Sequence, residues 1–308
     1  MLELEQVVKK YHRYTALKGL TCTVERGQVV GLLGANGAGK STTMNMIAGY
    51  FAPTSGRILW NGTDVRKLGP AYQNEVGYLP EVPPLHPELT VRESMEYVCG
   101  LRGIRPGKRK AHIEQLCELA GVADRMSMTT RSLSKGYKQR AGLAQALIGN
   151  PELIILDEPT AGLDPEQIVS IRELIRELGR AHAVILSSHI LSEIEDVCST
   201  LLILRKGELV ASGTIAEIAN GVRTDAHRLR VRVSGENAEQ LLAAMPSVTS
   251  VERLPEREQG WRELMVSSQE DIAQLVPAVL AAGQVQLRML YPMDVELEDL
   301  FMKLMQEG

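Results

Sequence analysis

The chain has 308 residues, with 34 Lys+Arg against 38 Asp+Glu, a net charge of −4, 44% apolar residues and 23% charged. That length allows about two domains, and the balance is that of an ordinary globular protein, not of a disordered, collagen-like or membrane-embedded chain. No apolar run approaches the roughly 18 residues of a membrane span, and the acidic, alternating start is read as neither a signal nor a transit peptide.

From the N-terminus, Leu2 to Val8 alternates as a half-buried strand should. Tyr11 follows two lysines at its end, where an aromatic ring could stack on a flat purine or cover a sheet edge. Ala16 to Val24 and a turn at Glu25-Arg-Gly27 lead into Val29–Leu33, a short apolar strand. Gly34-Ala-Asn36-Gly37-Ala-Gly39-Lys40-Ser41-Thr42 follows, and matches the phosphate-binding pattern G-x-x-x-x-G-K-[ST] from Gly34 to Ser41. Glycine lets the backbone curl tightly enough for its N–H groups to ring a polyphosphate at a helix start. Lys40 adds a mobile point charge for the β- and γ-phosphates, and Ser41 a hydroxyl for Mg²⁺. The helix runs from Thr42 to about Ala48, and Arg57–Trp60 with Asn61-Gly62 gives another strand and a tight turn.

Val76–Leu79 is a short strand stopped by Pro80 and followed by Glu81 and a proline-rich loop. Thr90 to about Asn150 turns helical, opened by a capping-box pair, Thr90 and Glu93. The basic segment Arg102 to Lys110 is read as a solvated loop between two helices. Ser134 caps a further helix with Gly136 just inside, a backbone anion site that is a weak signal by itself. Leu153–Leu156 is an apolar strand ending in Asp157 and Glu158, at the end where a parallel sheet presents ligands. Asp157 suits a Mg²⁺ ligand through water, and Glu158 can take a proton from, or orient, an attacking water. A sharp turn with Asp164 follows, then a second apolar strand ending at His189, a candidate reader of the γ-phosphate, and a hairpin over Leu201–Ala211. Four cysteines, Cys22, Cys99, Cys117 and Cys198, lack C-x-x-C spacing and are expected to be reduced and buried, as suits the cytoplasm.

Together these residues resemble the ATP-binding subunits of ABC transporters, over residues 1 to about 220. The similarity is to the subgroup paired with separately encoded membrane subunits of the ABC-2 export type, including drug-export, gliding-motility and sodium-export systems. The resemblance puts Tyr11 at the adenine-stacking position and Gly34, Asn36, Gly37, Gly39, Lys40, Ser41 and Thr42 in the Walker A loop. It puts Ser134 and Gly136 in the signature, Asp157 and Glu158 in Walker B, Asp164 in the D-loop and His189 in the switch. Two positions depart from the family: Glu81 stands where the Q-loop usually has glutamine, and the signature reads Leu133-Ser-Lys-Gly-Tyr137 in place of Leu-Ser-Gly-Gly-Gln.

The resemblance implies an α/β fold: a P-loop ABC ATPase domain at 1–220, with a mixed-sheet core and a helical subdomain at about 85–150. It implies ATP and Mg²⁺ as cofactors, with Ser41, Asp157 and Glu81 toward the metal and Glu158, His189 and Lys40 in catalysis. With one Walker A and one signature per chain, two chains, identical or related, would sandwich two ATP molecules. They would drive a membrane permease from the cytoplasmic face. The competing class is a soluble ABC ATPase acting on ribosomes or DNA. It is disfavoured because Lys40 and Ser134 are separated by a compact segment without heptads, and because the chain has one cassette.

After the polar stretch 220–225, residues 227–308 carry 8 Lys+Arg and 13 Asp+Glu, an acidic tail that argues against nucleic-acid binding. Leu229, Val231 and Val233 alternate as a strand. Ala238, Leu241, Leu242 and Met245 share a helix face behind the cap Asn237. Val248–Leu254 and Trp261–Val266 suggest a hairpin. Ile272, Leu275, Val276 and Val279 form a second helix face capped by Ser268, and Val285, Leu287 and Met289 a fourth strand. The order β-α-β-β-α-β predicts a small α+β ferredoxin-like domain. A final helix carries Leu297, Leu300, Phe301 and Leu304 on one face. The domain shows no catalytic constellation and is read as a packing or dimer-stabilising appendage.

Overall fold

A computed structural model describes residues 1–222, 227–235, 237–258 and 260–293. The chain divides after Ile215 into two compact units.

The first unit opens with β1 (Leu2–Tyr11) and β2 (Tyr14–Val24), a hairpin whose tip pairs Tyr11 with Tyr14, followed by β3 (Val29–Leu33) and α1 (Lys40–Ile47). Next come β4 (Ser55–Trp60), β5 (Thr63–Asp64), α2 (Val65–Leu68), α3 (Pro70–Glu75) and β6 (Val76–Leu79). A helical stretch holds α4 (Val91–Leu101), α5 (Pro106–Leu119) and α6 (Lys135–Ala146). The unit then runs through β7 (Leu153–Leu156), α7 (Pro165–Gly179), β8 (Ala183–Ser188), β9 (Thr200–Arg205) and β10 (Glu208–Gly213).

Two sheets result. One is antiparallel, in the order β2-β1-β4-β5; the other has the order β10-β9-β3-β8-β7-β6, parallel except for β10 against β9. Strands covered on both faces favour apolar side chains; β3, β7 and β8 are buried throughout, with Ser187 and Ser188 at the end of β8 buried as hydrogen-bonded hydroxyls. Registers Leu33↔Ser188, Leu156↔Leu186 and Leu79↔Leu156 bring the carboxyl ends of β3, β8, β7 and β6 to one edge of the sheet. The phosphate loop, His189, Asp157–Glu158 and Glu81 all leave from that edge.

The capping box forms as expected: Glu93 N–H donates to Thr90 Oγ1 at 3.2 Å, and Thr90 N–H to Glu93 Oε2 at 2.8 Å. The basic segment differs from its expectation. Pro106, with its fixed φ and no N–H to satisfy, starts α5, so Lys108, Arg109 and Lys110 lie on a helix and the connection shrinks to four residues.

The second unit contains β11 (His227–Ser234), α9 (Ala238–Ala243), β12 (Val248–Glu258), β13 (Trp261–Ser268), α10 (Val276–Ala282) and β14 (Gln286–Met293), preceded by α8 (Ile215–Val222). Its sheet is antiparallel throughout, in the order β12-β13-β11-β14, with both helix connections skipping a strand, the split β-α-β arrangement of ferredoxin-like folds. Leu229, Val231 and Val233 pack with Leu264, Val266, Leu242 and Leu280 in its core.

Three local expectations change. Ser268 does not cap the second helix: its hydroxyl donates to Glu270 O at 2.7 Å, and α10 starts at Val276, where Pro277 fits the first turn. Asn237 precedes α9, but its side chain donates to Gly283 O at 3.2 Å instead of capping. The polar stretch 220–225 begins inside α8, and its remainder lies outside the described residues, as does the expected final helix with Leu297, Leu300, Phe301 and Leu304.

Candidate functional site

A cavity of about 360 Å³ opens over the start of α1, lined by Tyr14, Ala16, the loop residues Ala35, Asn36, Gly37 and Gly39, then Lys40, Ser41 and Thr42, and by Glu81, Glu158, Ala161 and His189. The loop is shaped from below. Gly207 N–H donates to Ala38 O at 3.0 Å, and Leu204 O lies 2.5 Å from where a Cβ on Gly34 would stand. Gly39 has φ 109°, and a Cβ there would meet Ala16 O at 2.7 Å, so both conformation and space demand glycine. Gly34 supports the loop from beneath and does not line the cavity.

The reactive groups converge on one carboxylate. Buried Glu158 lies 3.3 Å through Oε1 from Lys40 Nζ and accepts at Oε2 from His189 Nδ1 at 2.9 Å. Lys40 also donates to Gly34 O at 2.6 Å. Glu158 has φ 48°, unusual for a side chain with a Cβ, and its N–H donates to Ser187 Oγ at 2.9 Å. Ser187 in turn donates to Asp157 Oδ1 at 2.6 Å. Asp157 thus sits behind Glu158, outside the lining, and burial together with the Asp157 charge pushes the Tyr78 phenol above its ordinary value.

The remaining sequence-predicted residues form a separate cluster. Ser134 Oγ accepts from Tyr137 N–H at 3.4 Å at the start of α6, and Asp164 Oδ1 accepts from Gln167 N–H at 2.9 Å at the start of α7. The Gln167 side chain covers Gly136 so closely that a Cβ would collide with it. The two departures from the family signature are both engaged here. Lys135 lies across the turn at Gly162, and the Tyr137 hydroxyl donates to Asp124 Oδ2 at 3.4 Å beneath the Arg125 guanidinium. Ser134, Gly136 and Asp164 do not line the chain's own cavity.

Tyr11 is also placed elsewhere. Its ring stands edge-on to Phe51, with centroids 6.1 Å apart, and Lys9 Nζ lies 4.4 Å from the Phe51 centroid. The aromatic residue at the cavity is Tyr14, whose hydroxyl donates to Gly37 O at 3.2 Å. The sequence offers both tyrosines on the hairpin tip, and no local pattern distinguishes them. Ser187 is not legible in the sequence either, since a serine near a strand end carries no signal until its partner, from another strand, is known.

A second cavity of about 440 Å³ lies between the residues that follow α1 and the helices α4 and α6, lined among others by Tyr50, Tyr78, Pro84, Val98, Leu101 and Gln145. Tyr50 is 67% and Leu101 70% exposed. Among the described residues no helix is long and apolar enough to cross a membrane.

The ABC transporter family profile matches residues 17–161. The linearmycin resistance ATP-binding protein LnrL of Bacillus subtilis (strain 168) is 31% identical over 306 residues, 99% of this chain and 98% of that one. The Nod factor export ATP-binding protein I of Paraburkholderia xenovorans (strain LB400) is 35% identical over 213 residues, 69% of this chain and 70% of that one. A solved structure described as the ATP-binding subunit of an ABC transporter is 34% identical, with a TM-score of 0.66 over 72% of this chain and 92% of that one. A phosphate loop, a buried acid and a histidine gathered at one sheet edge, in a chain related to LnrL over nearly its whole length, mark it as a member of the ATP-binding proteins of ABC transporters and as an ATPase.

Proposed function

We propose that this chain pairs with a second copy, or with a related ATPase subunit, around two ATP molecules and drives a separately encoded ABC-2 type membrane permease as an exporter. The observation that carries it is the convergence of Lys40 and His189 on Glu158 in a cavity floored by the phosphate loop. Loop N–H groups and Lys40 hold the phosphates, Glu158 takes the proton of the attacking water, and His189, held through Nδ1, turns Nε2 toward the γ-phosphate. Tyr11 or Tyr14, at the hairpin tip, stacks on the adenine. Ser134, Gly136 and Asp164 serve the nucleotide of the facing subunit, a role supported by their standing apart from the chain's own cavity.

The oxygen donors suit Mg²⁺. Ser41 and Glu81 line the cavity and Asp157 backs it, and among the described residues no group of three His, Cys, Asp or Glu could hold a metal unaided. That suits an ion shared between one or two protein oxygens and substrate phosphates. Bound there, Mg²⁺ would supply charge neutralisation at the β- and γ-phosphate oxygens.

The groove with exposed Tyr50 and Leu101, whose lining mixes these with the polar side chains of Gln73, Asn74, Arg102 and Gln145, fits a short amphipathic helix of the permease, which would hold the ATPase at the cytoplasmic face. Partnership with nucleic acid is not part of this function. The test is Glu158→Gln: ATP turnover should fall about 10²–10⁴-fold, while ATP induces a stable dimer on size-exclusion chromatography. Normal turnover would remove Glu158 as the base and turn attention to Glu81. Co-purification with a membrane subunit supports transport; ribosomes or DNA in its place overturn it.

A further inference from the structure

After His189 the chain makes a three-residue 3₁₀ turn, Leu191–Glu193, pinned by buried Leu191 and Ile194. Glu193 Oε2 accepts from Thr160 Oγ1 at 2.8 Å and from Ser188 Oγ at 3.0 Å. Thr160 is 5% and Ser188 1% exposed, so neither hydroxyl has water as a ready alternative. Ser188 Oγ also accepts from Ile190 N–H at 3.0 Å, which clasps the backbone on both sides of His189. Thr160 stands two residues beyond Glu158. A single carboxylate oxygen therefore joins the loop that carries Glu158 to the turn that follows His189. From the far side, Arg172 Nη2 on α7 donates to Ser192 O at 2.6 Å.

We propose that Glu193 is a positioning residue that fixes the His189 imidazole against Glu158, a proposal that rests on the catalytic role given to His189 above. The work is done by an acceptor oxygen and not by charge. Alanine at this position leaves two buried hydroxyls without their acceptor and frees the turn, whereas glutamine keeps the oxygen. A misplacement of about 1 Å at a reacting group lowers turnover on the order of 10²-fold.

The full chain, labelled at histidine with ¹⁵N and ¹³C, gives an imidazole signal for His189 that is assigned by its loss in His189→Ala. Glu193→Ala should move or broaden that signal while leaving His182 in place, and Glu193→Gln should restore it. Thr160→Val, which removes one donor from the opposite side, should disturb the same signal and serves if Glu193→Ala does not fold. In ATP hydrolysis Glu193→Ala should lower kcat about 10–10²-fold, with KM for ATP within about twofold. The double variant Glu193→Ala/His189→Ala should be no slower than His189→Ala alone. An unmoved His189 signal in Glu193→Ala, or a further loss in the double variant, overturns the proposal. If His189→Ala itself turns over normally, the catalytic role of His189 fails, and the imidazole signal still decides what Glu193 holds.

Discussion

Glu158 takes a left-handed backbone conformation that costs about 1–3 kcal/mol in an ordinary residue, and two hydrogen bonds at the end of β8, from its N–H to Ser187 Oγ and from His189 Nδ1 to its carboxylate, hold it there. In that conformation one carboxylate faces Lys40 through Oε1 and His189 through Oε2. Gly39 is constrained in the opposite sense: at φ 109°, facing Ala16 O, it tolerates nothing larger than hydrogen. Gly39→Ala should therefore destabilise the first unit by about 1–3 kcal/mol and weaken ATP binding, read by urea unfolding and by titration with a fluorescent ATP analogue. Unchanged affinity would mean that the loop can open away from β2. Lys135 and Tyr137, where the signature departs from its family, are tied to Gly162 and to Asp124–Arg125, so the start of α6 is braced on both sides.

Elements in the first unit are set by chemistry at their ends. Thr90 and Glu93 satisfy each other's neighbouring amides at the start of α4, and Thr90 also pairs with Thr129. Thr90→Ala should cost about 1 kcal/mol, seen as a lowered unfolding midpoint and faster amide exchange confined to the first turn of α4. Stability equal to wild type would mean that the Thr129 bridge alone fixes the helix start. Strands β3, β7 and β8 are largely apolar because both faces are covered, and the polar side chains gathered at their carboxyl ends, Asp157, Glu158, Ser187 and Ser188, are buried as well and bond to one another or to nearby groups. The thiols are free as expected, with Cys99, Cys117 and Cys198 buried but Cys22 only half-buried, and loss of solvation pushes Cys22 and Cys198 up to about 12.

At the scale of the whole molecule, the two units have separate cores and separate sensitivities. In the second unit Glu263, 1% exposed, lies between Arg230 and Arg232 on the sheet, and their hydrogen bonds lower its pKa from 4.5 to about 2. A carboxylate whose folded pKa is depressed stabilises fully above its unfolded value and loses that contribution as pH falls through the folded value. The stability difference between wild type and Glu263→Gln should thus level off above about pH 4.5 and decrease as pH falls from there through about 2. The chain has two tryptophans, Trp60 in the first unit and Trp261 in the second, so fluorine NMR of the fluorotryptophan-labelled protein separates their unfolding. A difference independent of pH would mean that the two arginines do not hold the charge.

The sequence by itself determined the phosphate loop, the apolar strands that end in acid and histidine, the capping box and the β-α-β-β-α-β order of the tail. Each of these is a local pattern whose physical demand, a tight glycine turn, two-sided burial or a satisfied helix end, falls within a few consecutive residues. Tertiary structure alone decided that Tyr14 and not Tyr11 lines the cavity, that Asp157 is backed by Ser187, and that Glu193 reaches Thr160. It also decided that Ser268 caps nothing. These depend on which strand lies beside which and in what register. For Ser187 and Thr160 the energy that selects the pairing comes from buried hydroxyls finding partners far away in the chain, where no spacing rule reaches.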